Sequence, residues 1–381
     1  MDIYLDNSAT TRPYKMVVEK VADTMSNFYG NPSSLHRKGI EAEKIIKTAR
    51  KQIADTIGAV PNEIIFTSGG TEADNLAIMG ICDANRGRQI IATPLEHPAI
   101  GNTLRTMEKS GYHVDFIPVN ASGVVDLEAF EKLISDDTVL VTSMFVNNEV
   151  GTIEPIEKMV KILKKKKPEA YFHVDAVQAY CKVPINVNNL DVDLISISSH
   201  KVHGPNGIGA LYVKSGVKLG AISFGGGQEK GIRPGTEDVA SIAGFGVAAQ
   251  HCNQKMPTSI PQIIKLRKRL ENGIISKIEN VQINTPINPA PQILNVSFGG
   301  VKSEVLLHSL EIDNIYVSSG SACSSHKREP SHVLTALGVE RKMIDGSIRF
   351  SLSEFTTEDE IDKTIESLAR IVKRLRKLNL G

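Results

Sequence analysis

Short apolar runs recur along the first half of the chain at intervals too long for β-hairpins. Seven of them, rich in β-branched residues, predict strands at 63–68, 89–94, 113–119, 138–146, 171–176, 193–198 and 209–213. Between several of these runs, apolar residues recur at helical spacing, as at 127–134 and 156–167. Strands that alternate with helices predict an α/β fold, with a mostly parallel sheet covered on both faces.

The last two predicted strands differ from the others, because only a short glycine-rich turn separates them. Such a connection favours antiparallel pairing at or near an edge of the sheet. After Ala249 the pattern changes to a polar segment that contains prolines, 250–262. This segment predicts a linker into a helix from about Ile260 to Ile278, where a second domain is expected to begin.

The end of the chain predicts an amphipathic helix. Ile361, Ile365, Leu368, Val372 and Leu375 share one helical face. Cations gather at the C-terminal end of this segment, where the helix dipole favours them. We interpret this basic run, like the lysines at 164–167, as a solvated helix face.

Composition and charge narrow the class of partner. Among 381 residues, 44 lysines and arginines nearly balance 43 aspartates and glutamates, and the formal net charge is +1. Such a balance argues against direct binding of nucleic acid or a membrane and favours a small-molecule or protein partner. The N-terminus lacks the pattern of a secretory leader, and no apolar run has the length of a membrane span.

The cysteines indicate a reducing compartment, and we expect a cytoplasmic protein. The chain has four, at widely separated positions and without a CxxC pair: Cys82, Cys181, Cys252 and Cys323. This spacing fits neither a disulfide framework nor a zinc ribbon. Cys82 has apolar neighbours, and we assign it, together with Cys181 and Cys252, to packing.

Cys323 stands apart because its surroundings are small and polar, in the segment SSGSACSSHKREP. An accessible loop of this kind is typical of a reactive thiol. The neighbouring His326, Lys327 and Arg328 either favour the thiolate or are ordinary surface residues of the loop.

The segment FTSGGTEADNLAIMG predicts a strand that ends in small residues directly before a helix. Free amides at the start of that helix, with the Thr71 hydroxyl, are suited to an anion such as a phosphate. A plain helix cap would give a similar pattern, since the segment has neither the Walker lysine nor the glycine spacing of a dinucleotide site.

Asp175 and Lys201 follow two successive predicted strands, at the ends where α/β sheets bind ligands. Taken alone, Asp175 is better explained as a helix cap, and Lys201 is equally well explained as a lysine that ends a strand in water. A lysine with a lowered pKa is also suited to forming a Schiff base. A phosphate cradle, an aspartate and a lysine together match the requirements of pyridoxal 5′-phosphate (PLP).

Other candidates carry little weight alone. His97, after another strand end, is more often structural than catalytic in such a place. Arg349, in a short strand of the second domain, has a guanidinium that could receive a carboxylate. His200 and His203 lack a further ligand at helical spacing, so no metal site is predicted.

With these residues assembled, the sequence resembles the cysteine desulfurases of the NifS/IscS type, within the class-V aminotransferase group of fold-type I PLP enzymes. The resemblance spans nearly the whole chain and rests on the segments YLDNSATT, YGNPSSLH, TSGGTEADNLAI, EHPA, NNEVGT, HVDAVQ, SSHKVHGPNGIGALYV, RPGTED, SSGSACSS and IRFSLS. It implies a large PLP-binding domain over 15–258, with a mainly parallel seven-stranded sheet. A smaller α/β domain would comprise 1–14 and 259–381 and carry the catalytic cysteine loop at about 318–330.

The resemblance also assigns roles to individual residues. Lys201 is similar to the Schiff-base lysine, Asp175 to the partner of the pyridine nitrogen, and Gln178 to the donor to the ring phenolate. His97 matches the histidine that stacks on the ring and handles substrate protons. The remaining matches are the phosphate ligands Gly70, Thr71, Ser198 and His200, a further phosphate ligand from the other subunit, Thr236, the substrate-carboxylate pair Asn148 and Arg349, and the persulfide-forming Cys323.

The implied activity is removal of sulfur from L-cysteine, which leaves L-alanine and a persulfide on Cys323 for an acceptor protein. That acceptor would be an iron–sulfur scaffold or a tRNA-thiolating enzyme, and Thr236 implies a homodimer. Asn206 and Ser353 depart from the usual pattern, which has lysine and glycine there, without removing a catalytic group. A selenocysteine lyase, a transaminase or a catalytically idle scaffold stay open as alternatives, because one fold supports several reactions.

Overall fold

A computed structural model describes residues 2–319 and 330–378 of the chain. Its strands are β1 (Ile3–Tyr4), β2 (Ile64–Thr67), β3 (Gln89–Ala92), β4 (His113–Phe116), β5 (Thr138–Met144), β6 (Tyr171–Asp175), β7 (Leu194–Ser198), β8 (Gly209–Val213), β9 (Val281–Ile283), β10 (Ile293–Phe298), β11 (Ile315–Tyr316), β12 (Ser318–Ser319) and β13 (Ser347–Ser351).

The helices are α1 (Lys15–Asn27), α2 (Arg37–Ile57), α3 (Gly70–Ala84), α4 (Pro98–Lys109), α5 (Leu127–Leu133), α6 (Ile156–Lys166), α7 (Val187–Leu190), α8 (Val239–Lys277), α9 (Ser303–Ile312), α10 (His332–Ala336), α11 (Arg341–Ile344) and α12 (Glu358–Leu378). The predicted helices at 127–134 and 156–167 correspond to α5 and α6.

All seven strands predicted in the first part of the chain form one sheet, in the order β2-β8-β7-β6-β5-β3-β4. Neighbours from β7 to β4 pair in parallel, whereas β8 is antiparallel to both β7 and β2. The predicted antiparallel pair is therefore confirmed, with β8 one strand in from the edge. The α/β class and the mainly parallel sheet are confirmed as well.

Two apolar layers cover the two faces of this sheet. Alternate residues of a strand enter opposite layers, so Ile195 and Ile197 face one side and Leu194 the other. The first layer includes Ile53 of α2, and the second includes Leu76 of α3. Because strands with both faces buried must be apolar throughout, their sequences are nearly continuous apolar runs.

The predicted linker at 250–262 is wrong, because this segment is part of α8. The helix runs without a break for 39 residues and contains Pro257 and Pro261. Proline inside a helix costs about 3 kcal/mol, since it removes a backbone hydrogen bond and crowds the preceding turn. Burial on both sides of the prolines offsets this cost: Phe245 packs in the core of the seven-stranded sheet, and Leu266 packs in a second core.

The second core surrounds an antiparallel sheet in the order β12-β13-β10-β9. The five apolar residues predicted on one face of the last helix are all buried in α12, which confirms that face. At the other end of the chain, β1 pairs with β11, so that Ile3 and Leu5 enter this core. The division into 15–258 and 1–14 with 259–381 stays a prediction. Among the described residues, no helix combines the length and apolar character needed to cross a bilayer.

Candidate active site

A cavity of about 490 Å³ lies at the carboxyl ends of β6 and β7 and beside the first turns of α3 and α4. Strand ends of an α/β sheet converge at one edge, which is why residues far apart in sequence meet here. Its lining includes most of the predicted site residues: Gly70, Thr71, His97, Asn148, Asp175, Gln178, Ser198, His200, Lys201 and Arg349.

Helix α3 begins at one side of the cavity with exposed backbone amides. The N–H groups in the first turn of any helix have no acceptor within the helix. The N-cap residue of α3, Gly69, has no side chain that could accept from them. A β-carbon at Gly70 would lie 2.7 Å from Val177 Cγ2, so only glycine lets the chain approach this closely. The dipole and free amides make this helix start an anion site.

Asp175 ends β6 with its carboxylate buried in the cavity wall. Its Oδ1 accepts a hydrogen bond from the Val177 amide at 2.9 Å, and the following residues form turns. The helix-cap interpretation is therefore wrong. Burial raises the pKa of Asp175 to about 6, although the Val177 amide and the Lys201 charge oppose the shift.

Lys201 lies in a single 3₁₀ turn directly after β7, and its amine enters the cavity. The Nζ atom donates hydrogen bonds to the carbonyl oxygens of Ser8 and Ala9, both at 2.6 Å. The interpretation as a lysine in bulk water is therefore wrong.

Gln178 shares one of these acceptors, since its Nε2 donates to the Ser8 carbonyl at 2.9 Å. Its Oε1 is buried and has no hydrogen-bond partner among the described residues. A buried polar atom without a partner costs roughly 1–3 kcal/mol. The cavity wall thus contains a polar group that a bound polar ligand would satisfy.

His97 caps helix α4, because its Nδ1 accepts a hydrogen bond from the Ala99 amide at 3.1 Å. Burial, together with smaller contributions from the charges of Lys201 and His332, lowers its pKa to about 4. The imidazole is therefore neutral at neutral pH. Because Nδ1 accepts, the ring proton belongs on Nε2. His97 is structural as a cap and is also part of the cavity lining.

Arg349 enters the cavity from β13, in the other sheet. Its Nη1 donates to the Asn148 carbonyl at 2.9 Å, and its Nη2 donates to Asp6 Oδ1 at 2.8 Å. Its Nε is buried and has no hydrogen-bond partner among the described residues. The guanidinium is therefore fixed on two sides and has a donor to spare.

His200 also lines the cavity, and its Nδ1 lies 3.2 Å from Thr10 Oγ1. Burial lowers its pKa to about 4, with a further contribution from the Lys201 charge. It therefore contributes a neutral ring to the lining at neutral pH. The N-terminal segment that contains Thr10 thus contacts both of the last two residues of the SSHK motif.

Two predicted residues are not brought to this cavity. Thr236 is exposed and does not belong to the lining in a single chain. Cys323 lies outside the described residues. The contact of Thr236 with a second subunit, and the role of Cys323, stay predictions.

The structure adds residues to which the sequence assigned no role. His332 follows the cysteine segment and lines the cavity, and its Nε2 donates to the Glu96 carbonyl at 3.1 Å. Beside it, Ser331 Oγ donates to Glu149 Oε2 at 2.5 Å, and burial raises the pKa of Glu149 to about 7. The sequence signal for such residues lay in two of the quoted segments, because YLDNSATT contains Ser8 and Ala9 and NNEVGT contains Glu149.

Comparisons with known proteins identify the family of this chain. A profile of the class-V aminotransferase family matches residues 3–364. A cysteine desulfurase of Nostoc sp. is 45% identical over 379 residues, which cover 99% of this chain and 94% of the relative. The aligned residues therefore include both the seven-stranded and the four-stranded sheet.

Solved structures give the same result. A NifS-like protein superposes with a TM-score of 0.93 at 39% identity, covering 98% of this chain and all of that one. A protein described as SspA in complex with cysteine superposes with a TM-score of 0.82 at 34% identity, covering 93% of this chain and all of that one. The chain belongs to the class-V aminotransferase family and, within it, to the cysteine desulfurases.

Proposed function

We propose that this protein binds PLP and removes sulfur from L-cysteine, releasing L-alanine and leaving a persulfide on Cys323. The observation that carries the proposal is the single cavity that holds an amine, a buried carboxylate, an anion-binding helix start and a fixed guanidinium. These groups are the ones that an amino acid and a phosphorylated pyridine aldehyde require.

The residues of the cavity fit PLP. The start of α3 suits the phosphate, since Gly70 leaves no room for a side chain between its backbone and Val177. Asp175 suits a protonated ring nitrogen, because an opposite charge would offset the cost of its burial. Gln178 suits the ring phenolate through its donor Nε2, which in this structure donates to the Ser8 carbonyl, and not through Oε1, which is an acceptor. Ser198 and His200 complete the polar lining.

When bound, PLP supplies an aldehyde carbon that reacts with amines and an electron-withdrawing ring that makes a substrate Cα proton acidic. Lys201 carries the only amine among the described lining residues, so we assign it both to holding the cofactor and to accepting the Cα proton at Nζ. The Ser8 and Ala9 carbonyls orient this amine.

His97 is suited to proton transfer at the substrate, because it is neutral at neutral pH and its Nε2 is not used by the helix cap. Arg349 and Asn148 bind the substrate carboxylate. The contact of Arg349 with the Asn148 carbonyl fixes the two residues relative to each other, and its buried Nε is a spare donor for the carboxylate.

The sulfur step takes place at Cys323. Its thiolate attacks the sulfur of the bound cysteine, a new S–S bond forms, and the substrate C–S bond breaks, with the electron pair passing to the carbon side. Protonation of that carbon, with return of a proton to Cα, gives alanine. The balanced sum is L-cysteine plus the Cys323 thiol giving L-alanine plus the Cys323 persulfide.

The proposal includes three partners. A second copy of the chain completes the site through Thr236, which one chain leaves exposed and away from the cavity. A sulfur-acceptor protein, either an iron–sulfur scaffold or a tRNA-thiolating enzyme, removes the persulfide. L-cysteine is the substrate, and we assign the protein to the cytoplasm, where thiols stay reduced.

Reductive labelling tests the cofactor assignment. The protein is loaded with PLP, treated with borohydride, digested and mapped by mass spectrometry. We expect the pyridoxyl group on Lys201 and expect none on Lys182, a second lysine with a buried amine that does not line the cavity. A label on Lys182, or an unlabelled Lys201, would contradict the assignment.

Substrate comparison tests the reaction. The loaded enzyme is offered L-cysteine, L-selenocysteine or an amino acid with a keto-acid acceptor, and alanine and consumed substrate are measured. Alanine formed fastest from L-cysteine supports the proposal. Faster turnover of selenocysteine, or amino transfer without sulfur release, would replace it with the corresponding alternative.

A further inference from the structure

Two cysteines assigned to packing by sequence lie against each other. Cys181 is in the turn after β6, and Cys252 is on α8. Cys252 Sγ lies 3.9 Å from the Cys181 carbonyl oxygen, and Cys181 Sγ lies 3.8 Å from the Ala249 carbonyl oxygen. Each thiol also affects the pKa of the other. They are 71 residues apart in sequence, so only the fold brings them together.

A buried amine accompanies the pair. Lys182 Nζ is buried and has no hydrogen-bond partner among the described residues. Burial lowers the pKa of Lys182 to about 8, while the two thiols act in the opposite direction. A buried ammonium without a partner is costly, whereas a thiolate beside it would compensate the charge.

The surroundings of Cys252 favour its thiolate. The neighbouring side chain of Cys181, the charge of Lys182 and the side chain of Tyr14 lower the pKa of Cys252, whereas burial and the Glu354 carboxylate raise it. Cys181 is affected in the opposite sense, since burial raises its pKa. One thiol is therefore disposed to act as the nucleophile and its neighbour to stay protonated.

Exposure distinguishes the two in the same way. Cys252 is partly exposed, whereas Cys181 is buried. Cys181 also has φ of +55°, a left-handed conformation that costs a residue with a β-carbon roughly 1–2 kcal/mol. Such a conformation persists only where the surroundings impose it, and strain of this kind is concentrated at functional sites.

We propose that Cys252 and Cys181 form an oxidative modification site that reacts with hydrogen peroxide and closes to a disulfide. The Cys252 thiolate attacks one peroxide oxygen and the O–O bond breaks. Hydroxide leaves, and Cys252 becomes a sulfenic acid. The Cys181 sulfur then attacks Cys252 Sγ, and the sulfenic oxygen leaves as water with the Cys181 proton. One peroxide is reduced, and two thiols are oxidised.

The disulfide would join the turn that follows Asp175 and Gln178 to helix α8. This site is separate from the cavity, whose lining contains neither cysteine, and its reaction requires neither PLP nor L-cysteine. Failure of the proposed desulfurase reaction would therefore leave this inference untouched, and the reverse also holds.

Mapping of the peroxide-treated protein tests the proposal. The full chain is treated with hydrogen peroxide, alkylated without reduction, digested and analysed by mass spectrometry. We expect a cross-linked pair of peptides that contain Cys181 and Cys252 and that separate on reduction. Cys82 is the internal control, because burial raises its pKa to about 12 and no other thiol among the described residues is its hydrogen-bond partner. It should stay a free thiol.

Variants assign the two roles. In Cys181→Ser, we expect a sulfenic acid that accumulates on Cys252 and is trapped by dimedone. In Lys182→Met, we expect alkylation of Cys252 at pH 7 to slow about tenfold, since loss of an adjacent positive charge raises a thiol pKa by roughly one unit. An unlinked pair in the treated wild-type protein, or dimedone on Cys82 in place of Cys252, would overturn the proposal.

Discussion

Arg349 Nη2 lies 2.8 Å from Asp6 Oδ1, an ion pair between β13 and the first residues of the chain. The pair crosses 343 positions of sequence and fixes a guanidinium at the cavity wall. A buried, oriented arginine can bind a carboxylate with two parallel hydrogen bonds, which a lysine cannot do.

Substitution of Arg349→Lys should therefore weaken substrate binding. Loss of a charge-assisted hydrogen bond costs about 1.5–3 kcal/mol, so we expect the KM for L-cysteine to rise roughly 10- to 100-fold. Steady-state kinetics checks this. Arg370→Lys is the matched control, because Arg370 pairs with Asp313 away from the cavity. An unchanged KM in Arg349→Lys would show that the carboxylate binds elsewhere.

His97 has two roles that one substitution can separate. Asparagine is a good N-cap residue, so His97→Asn should keep the bond to the Ala99 amide and the stability of α4. Loss of the imidazole should lower kcat by at least about 10²-fold, as is usual for a group that transfers protons. Turnover and thermal unfolding are measured together. Full turnover with reduced stability would show that His97 is only a cap.

Glu154 should make the stability depend on pH. Its Oε2 accepts from the Val125 amide, and burial raises its pKa to about 8. Between its usual value near 4.5 and about 8, the folded protein holds a proton that the unfolded chain has lost. The contribution of Glu154 to the free energy of unfolding is therefore fully present at low pH and is lost as the pH rises through about 8.

Glu154→Gln should remove this dependence. We expect the variant to gain roughly 2–4 kcal/mol relative to wild type between pH 5 and pH 9, measured as the free energy of unfolding in urea. Glu157→Gln, three residues further on and exposed, is the control and should change little. A Glu154→Gln profile parallel to that of wild type would contradict the raised pKa.

Helix α8 should be stabilised by restoring a backbone donor. Pro257 is exposed in the helix interior, so Pro257→Ala should raise the free energy of unfolding by about 1–3 kcal/mol. Gln254→Ala, exposed in the same helix, should change it by less than about 0.5 kcal/mol. Destabilisation by Pro257→Ala would mean that the proline ring itself makes a required contact.

The sheet could be predicted because its strands, apart from the edge strand β4, are buried on both faces and are therefore largely apolar runs. Asp175 and Lys201 could be predicted because they follow two of those runs at the same edge. The continuity of α8 could not be predicted, because Pro257 and Pro261 favour a break in the helix. Only the packing of the two ends of α8 in the two cores offsets the effect of the prolines.

Contacts made by the backbone also escaped prediction. Lys201 and Gln178 both donate to the Ser8 carbonyl, and a carbonyl oxygen is the same in every residue. The approach of Cys181 to Cys252 has no sequence signal either, because it depends on how a turn and a helix pack. The family resemblance included the segment YLDNSATT around Ser8, but it assigned no role to Ser8.

The central claim is sulfur transfer to Cys323, and the most direct measurement is the mass of the unreduced peptide that contains it after incubation of the PLP-loaded protein with L-cysteine. Cys323→Ser and Cys82→Ser are treated alongside, and alanine is assayed in each mixture. We expect Cys323 to gain one sulfur atom with alanine release in wild type and Cys82→Ser, and both to be lost in Cys323→Ser. Alanine and sulfur release that persist in Cys323→Ser would contradict the account.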